Sequence, residues 1–206
     1  MTRLVIHFLA IVLLTFSQVA KAEDSFTIGD SQIVFESPQG CVNSNIIDER
    51  LNEYFSKSNP KVVHAVSFIS DKTAKDWMIE KRTGEKAKNL QILSIGYQRE
   101  LTGTFSEKGF QEIVQSQTSG FEKIHNSNAI TYLGKEHGNN YEMWTITVFN
   151  SGVYSTVSTA LVSVKNKIIH ISSSASFQDE QNRKSQLIWS KKACKNAISM
   201  IINLNI

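Results

Sequence analysis

Apolar and polar positions alternate along this chain in two distinct rhythms, and the change between them is sharpest in the last third. Tyr141–Asn150 (YEMWTITVFN), Val153–Val164 (VYSTVSTALVSV) and Ile168–Phe177 (IIHISSSASF) are rich in β-branched and aromatic residues. Asn150-Ser151-Gly152 and Lys165-Asn166-Lys167 separate these runs with turn residues. Three such runs, so closely punctuated, predict an antiparallel meander. From about Asp179 the rhythm becomes helical. Leu187, Cys194, Ile198, Ile201 and Ile202 fall near one stripe of a helix that runs to about Asn203, and Trp189, Ala193, Ala197 and Met200 widen it. Asp179 and Glu180 open this helix and Lys191, Lys192 and Lys195 come late, the order that the helix dipole favours.

Earlier in the chain the same patterns are shorter. Phe26-Thr27-Ile28 and Gln32–Phe35 predict two strands around Gly29-Asp30, and Ser37-Pro38-Gln39-Gly40 predicts a turn. Asn43–Asn45 offers helix N-caps. Ile47, Leu51, Tyr54 and Phe55 follow at helical spacing, and Asn59-Pro60 stops the helix near Lys57. Val62–Ile69 and Leu90–Tyr97 predict strands, with a short helix over Asp71–Arg82 between them. Thr104-Phe105-Ser106-Glu107 has capping-box spacing; its helix places Phe110, Ile113 and Val114 on one face and ends by Gly120. Ala129–Leu133 predicts a strand and Gly134–Asn140 a polar loop. The chain has only two prolines and no internal repeat or linker. The expectation is an α+β fold: an antiparallel sheet of about six or seven strands flanked by helices, with a long C-terminal helix.

The first 22 residues read differently. Arg3 precedes an apolar run, Leu4–Phe16, and Ala20-Lys21-Ala22 supplies small residues around a cleavage point. The run is short of the roughly 20 apolar residues that span a bilayer. Residues 1–22 are therefore expected to be a signal peptide and 23–206 one domain, periplasmic or secreted, with no stable membrane insertion after cleavage. The charge changes with that reading. Arg3 and Lys21 account for two units of the formal +3, which leaves the mature chain near neutrality and without an electrostatic case for nucleic acid. In an oxidising compartment the two cysteines, Cys41 and Cys194, are expected to form a disulfide between the early chain and the last helix.

The Pro38-Gln39-Gly40 turn after a short strand pair, the Lys167–Phe177 strand with its run of serines, and the terminal helix with Trp189 resemble the PsbP-like domains. These include the extrinsic PsbP protein of photosystem II, a nuclear-import factor that binds the Ran GTPase, and exported bacterial proteins of the DcrB type. The resemblance would cover about Phe26 to Asn203. It departs at Cys41-Val42, where an aromatic residue is expected, and in lacking a lipid-attachment cysteine. It implies a sheet between helices used as a binding or accessory module, and it brings no catalytic residues.

Candidate chemistry is sparse. No zinc, phosphate-cradle or nucleophile-elbow motif occurs, so no catalytic, cofactor or metal residues are assigned. His170 shares a strand face with Ser172, Ser174 and Ser176. A base–nucleophile pair there would make a hydrolase, but residues two apart on a strand are about 6–7 Å apart. Asp71, Asp76, Glu80 and Glu85 alternate with bases, which makes a solvated face rather than a carboxylate pair. Trp77, Met78 and Ile79 form the apolar cluster best suited to a protein partner, with His137 in the polar loop as a second contact. The expected function is an exported, non-enzymatic binding or accessory protein of the cell envelope without cofactor. The alternatives are a periplasmic inhibitor or immunity protein and a Ser/His hydrolase.

Overall fold

A computed structural model describes residues 24–48, 61–83, 89–124, 129–150 and 152–206. The expected signal peptide (1–22) and the helix positions Leu51, Tyr54 and Phe55 lie outside these residues. Two strands open the described chain, β1 (Asp24–Ile28) and β2 (Ser31–Phe35), joined at Gly29-Asp30 into a separate two-stranded ribbon. Gly29 has φ +59, a conformation that costs glycine little.

The main sheet has seven strands, all antiparallel: β3 (Cys41–Asn43), β4 (Val62–Ser70), β5 (Gln91–Gln98), β6 (Ile130–Gly138), β7 (Tyr141–Asn150), β8 (Val153–Val164) and β9 (Lys167–Phe177). Across the sheet their order is β3-β4-β5-β9-β8-β7-β6. The meander β7-β8-β9 follows directly from its turn residues. Lys165 and Asn166 both take positive φ, +48 and +58, as the tight turn between β8 and β9 requires. Four helices complete the described fold: α1 (Ser44–Ile47), α2 (Asp71–Thr83), α3 (Glu107–Ile124) and α4 (Glu180–Asn205).

Alternation along the strands sorts side chains onto two faces. Phe68, Leu93, Ile95, Ile169 and Ile171 are buried on one face beneath Ala197, Ile198 and Ile201 of α4, and the β1–β2 ribbon joins the same core. A buried hydroxyl seam lets the helix approach closely. Ser173 donates to the Ser190 carbonyl at 2.6 Å, and the Ser190 hydroxyl donates to Ser158 at 3.0 Å. The opposite face is covered in two places. α3 packs Phe110 and Val114 on Trp144, Leu161 and Ile168, while α2 packs Ala74 and Trp77 on Ile69 and Ile92.

Several expectations are corrected. Gly134–Asn140 is not a loop: β6 runs through Gly138, and only Asn139-Asn140 turns the chain. Pairing with β7 overrides the polar composition of that stretch. The cap of α3 is Ser106, whose hydroxyl accepts from the Gly109 N–H at 3.2 Å, not Thr104; the helix passes Gly120 and ends at Ile124. The lysines of α4 do not meet its dipole, because the helix continues to Asn205 and has no basic residue in its last turn. Lys191 and Lys195 instead grip Glu136 of β6, at 3.2 and 2.5 Å. The expected Cys41–Cys194 disulfide is not formed: both residues are free thiols. Cys194, on the inner side of α4, is fully buried, and Cys41 packs against the same core.

Candidate functional site

Helix α2 begins where β4 ends, and Ser70 makes that junction. Its hydroxyl accepts the Thr73 N–H at 3.1 Å, so it caps the helix. Thr73 in turn accepts the Gln91 N–H at 2.9 Å, which ties α2 to the first residue of β5. The helix is thereby held against the sheet with Trp77 on its inner side. Trp77 is half-buried and packs, as do Val42, Ile47 and Ile92, against the small core of Ile69 and Ala74. Its indole N–H is buried with no acceptor.

The next two residues point the other way. Met78 is 44% exposed and Ile79 is 52% exposed. Ile46 of α1, the neighbour in sequence of Ile47, which packs on the same small core as Trp77, is 77% exposed. Large apolar side chains at such exposure have not been recruited to the core, although Trp77 beside them has. The sequence did not single out Ile46; its neighbour Ile47 carried the helical periodicity, and only packing shows which of the two faces solvent. His137 is exposed on β6, at the far edge of the sheet, four strand spacings or roughly 20 Å from β5. The structure therefore does not bring His137 to the Trp77 corner.

The serine-rich face of β9 carries the other candidate chemistry. His170 Nε2 lies 3.0 Å from the Thr159 hydroxyl, which also reaches the Ile171 carbonyl at 3.2 Å. A carbonyl only accepts, so when the Thr159 proton goes to Ile171 the His170 Nε2–H donates to Thr159. In that tautomer His170 cannot take a proton from Thr159 through Nε2. Ser176, on the same face, accepts the Leu90 N–H at 2.9 Å and serves the sheet. Burial, and then the like charge of His64, hold His170 down at about 4. His64 is also lowered, by burial, and neither of its ring nitrogens has a hydrogen-bond partner.

The thiols are similarly quiet. Burial pushes Cys194 up to about 12 and, with Asp71 adding to it, Cys41 up to about 11, so neither is a thiolate at neutral pH. Among the described residues no group of three or more His, Cys, Asp or Glu is placed to hold a metal ion. No described helix is long and apolar enough to cross a membrane.

No family model matches the chain, and no curated protein matches it. Among solved structures it aligns with the Ran-binding protein Mog1p of Saccharomyces cerevisiae at 7% identity and a TM-score of 0.42, over 91% of this chain and all of that one. A mutant of protein Mog1 aligns at 7% identity and a TM-score of 0.42, over 88% of this chain and 96% of that one. Likeness at this level carries no argument about this chain. The expected membership among PsbP-like proteins of the photosystem II or DcrB type is corrected: no family model matches the chain, and the solved structures it aligns with are Mog1 proteins.

Proposed function

We propose that this protein is an exported, non-enzymatic binding or accessory protein of the cell envelope, acting through protein–protein contact at the α1–α2 corner. The observation that carries the reading is the exposure of Ile46, Met78 and Ile79 around a half-buried Trp77. Exposed apolar side chains on a capped helix and on the short helix that packs on the same small core suit the centre of a protein contact, where excluding water supplies most of the affinity. The hydrogen bonding of His170 supports the non-enzymatic part, since its Nε2 meets Thr159 and none of the serines on its own strand face. Export rests on the sequence of residues 1–22 alone.

The test is affinity capture from the native envelope extract with the mature chain as bait, beside an Ile79→Asp bait. Ile79 is half exposed, so aspartate there leaves the core intact while burying a charge in any contact. One stoichiometric partner is expected with the first bait, at least about tenfold depleted with the second. Equal recovery by both baits removes the corner as the contact, and recovery of nothing removes the protein-partner reading.

A further inference from the structure

Register places two histidines in one row across the sheet. His64 of β4 pairs with Gly96 of β5, and Gly96 pairs with His170 of β9. All three lie on the face opposite α4, since Leu93 and Ile95 alternate with Ser94 and Gly96. The middle residue has no side chain, and the space one would take is filled by the backbone of Val63 and His64. It must be glycine: a Cβ there would collide with the Val63 carbonyl. The next neighbour in the row is Leu161, which is apolar and buried.

The two histidines are held very differently. His170 sits on β9, a central strand flanked by β5 and β8, and is anchored by Thr159. His64 has no hydrogen bond at either ring nitrogen. Its strand is also weakly held at that point. The β4–β5 register slips between His64 and Val66, and β3 covers only Phe68–Ser70. Among the described residues no strand flanks β4 on its outer side from Val62 to Ser67.

We propose that the His64–Gly96–His170 row is an acid-responsive latch: protonation of the row expels His64 and frees β4, with β3 and α2 attached, from the rest of the sheet. Charging His64 would create a buried imidazolium with two N–H donors and no acceptor, which costs far more than leaving the neutral ring unpaired. Charging both rings would set two positive charges on one face of the sheet, on either side of Gly96. Relief comes from the more weakly held partner, and that is β4.

Among the described residues no other charge shifts either imidazole. On the same face, Glu142 is committed to Lys135 at 3.1 Å beyond Leu161, and Tyr132 and His137 are farther out on β6. α2 carries Asp71, Lys72, Lys75 and Asp76 among its described side chains. α3 carries Glu107, Lys108, Glu112, Glu122 and Lys123. None of these contributes to the balance at either imidazole, which is set by burial and by the histidines themselves. Both rings are held below the usual histidine range, so the fold favours their neutral forms. That contribution is complete above about pH 6.5, the unfolded value. It is lost as pH falls from there toward about 4, the folded value of His170. Stability falls on acidification, because the opened state binds more protons.

The experiment is hydrogen–deuterium exchange on the full chain at about pH 7 and about pH 5, corrected for intrinsic rates. Protection in β3, β4 and α2 is expected to drop at least about tenfold at the lower pH, while β7–β9 and α4 hold theirs. His64→Phe, which fills the same space without a titrating group, should abolish the drop. His170→Gln, which can still donate to Thr159, should move it to a different pH. Unchanged protection, a uniform loss across all strands, or a drop that survives in His64→Phe would overturn the latch. If His64→Phe fails to fold, an unshifted response in His170→Gln overturns it as well.

Discussion

At the scale of single residues, Lys167 shows how far partners govern a charge in this fold. It is buried at the start of β9, yet its Nζ reaches the exposed Asp30 carboxylate at 2.8 Å, with Thr104 Oγ1 at 3.4 Å. The same lysine comes within 3.1 Å of where a Cβ on Gly29 would sit, so the turn between β1 and β2 is glycine-tight against it. Hydrogen bonding and attraction from Lys167 hold Asp30 below the ordinary carboxylate range. Breaking such a pair from the exposed side leaves the buried charge uncompensated, whereas replacing the buried partner removes that cost. Asp30→Asn should therefore lower the thermal midpoint, and adding Lys167→Met should restore much of the loss. A double variant no more stable than Asp30→Asn would show that Lys167 is held by other contacts.

The elements are joined by a few side chains at their ends. Asn205, the last residue of α4, accepts the Val34 N–H at 2.9 Å and donates to the Val34 carbonyl at 2.8 Å. One carboxamide thus satisfies both backbone groups of a β2 residue and stitches the small ribbon to the helix. Asn205→Ala should cost about 1–3 kcal/mol, the penalty for stranding part-buried backbone groups. The loss should appear first as faster amide exchange at Val34; a change spread evenly over the main sheet would argue against a local stitch. The hydroxyl seam under α4 makes a second prediction at this scale. Ser190→Leu should be severely destabilising, by about 3 kcal/mol or more, because the helix lies too close to β8 and β9 to admit the extra volume and Ser158 would lose its donor. Chemical denaturation with an unchanged m-value would measure it.

At the scale of the whole molecule, the fold closes without a covalent link between its ends. Cys41 and Cys194 are free thiols, and the C-terminal helix is held by Ile198, Ile201 and the hydroxyl seam. A reductant should therefore leave the thermal midpoint unchanged. A thiol reagent should find two reactive sulfurs in denaturant, with Cys194 silent in the native protein. Finding no thiol after denaturation would restore the disulfide. The three candidate regions also take distinct places at this scale. The exposed apolar corner lies over β3–β5, His137 lies at the β6 edge, and the histidine row bridges β4 to β9.

The strand runs, the turns between them and the long terminal helix were legible in the residues because they depend on local rhythm. β-branched alternation, turn residues with positive φ and a helical stripe each act over a few positions. The sequence by itself determined the α+β class, the β7–β8–β9 meander and the face of α4 that turns inward. Tertiary structure alone decided the rest. Gly134–Gly138 became a strand because β7 offered it a ladder. Ser106, rather than Thr104, took the cap because the chain bends there against Asn166, whose carbonyl receives the Phe105 N–H at 2.8 Å. The cysteines remained unjoined in the packed core. His64, Gly96 and His170 became neighbours although they are far apart along the chain, because register between non-consecutive strands is set by which faces bury their apolar side chains together. No periodicity within one segment carries that information, so the pairing of the histidines and the exposure of Ile46, Met78 and Ile79 could be read only from the assembled sheet and its helices.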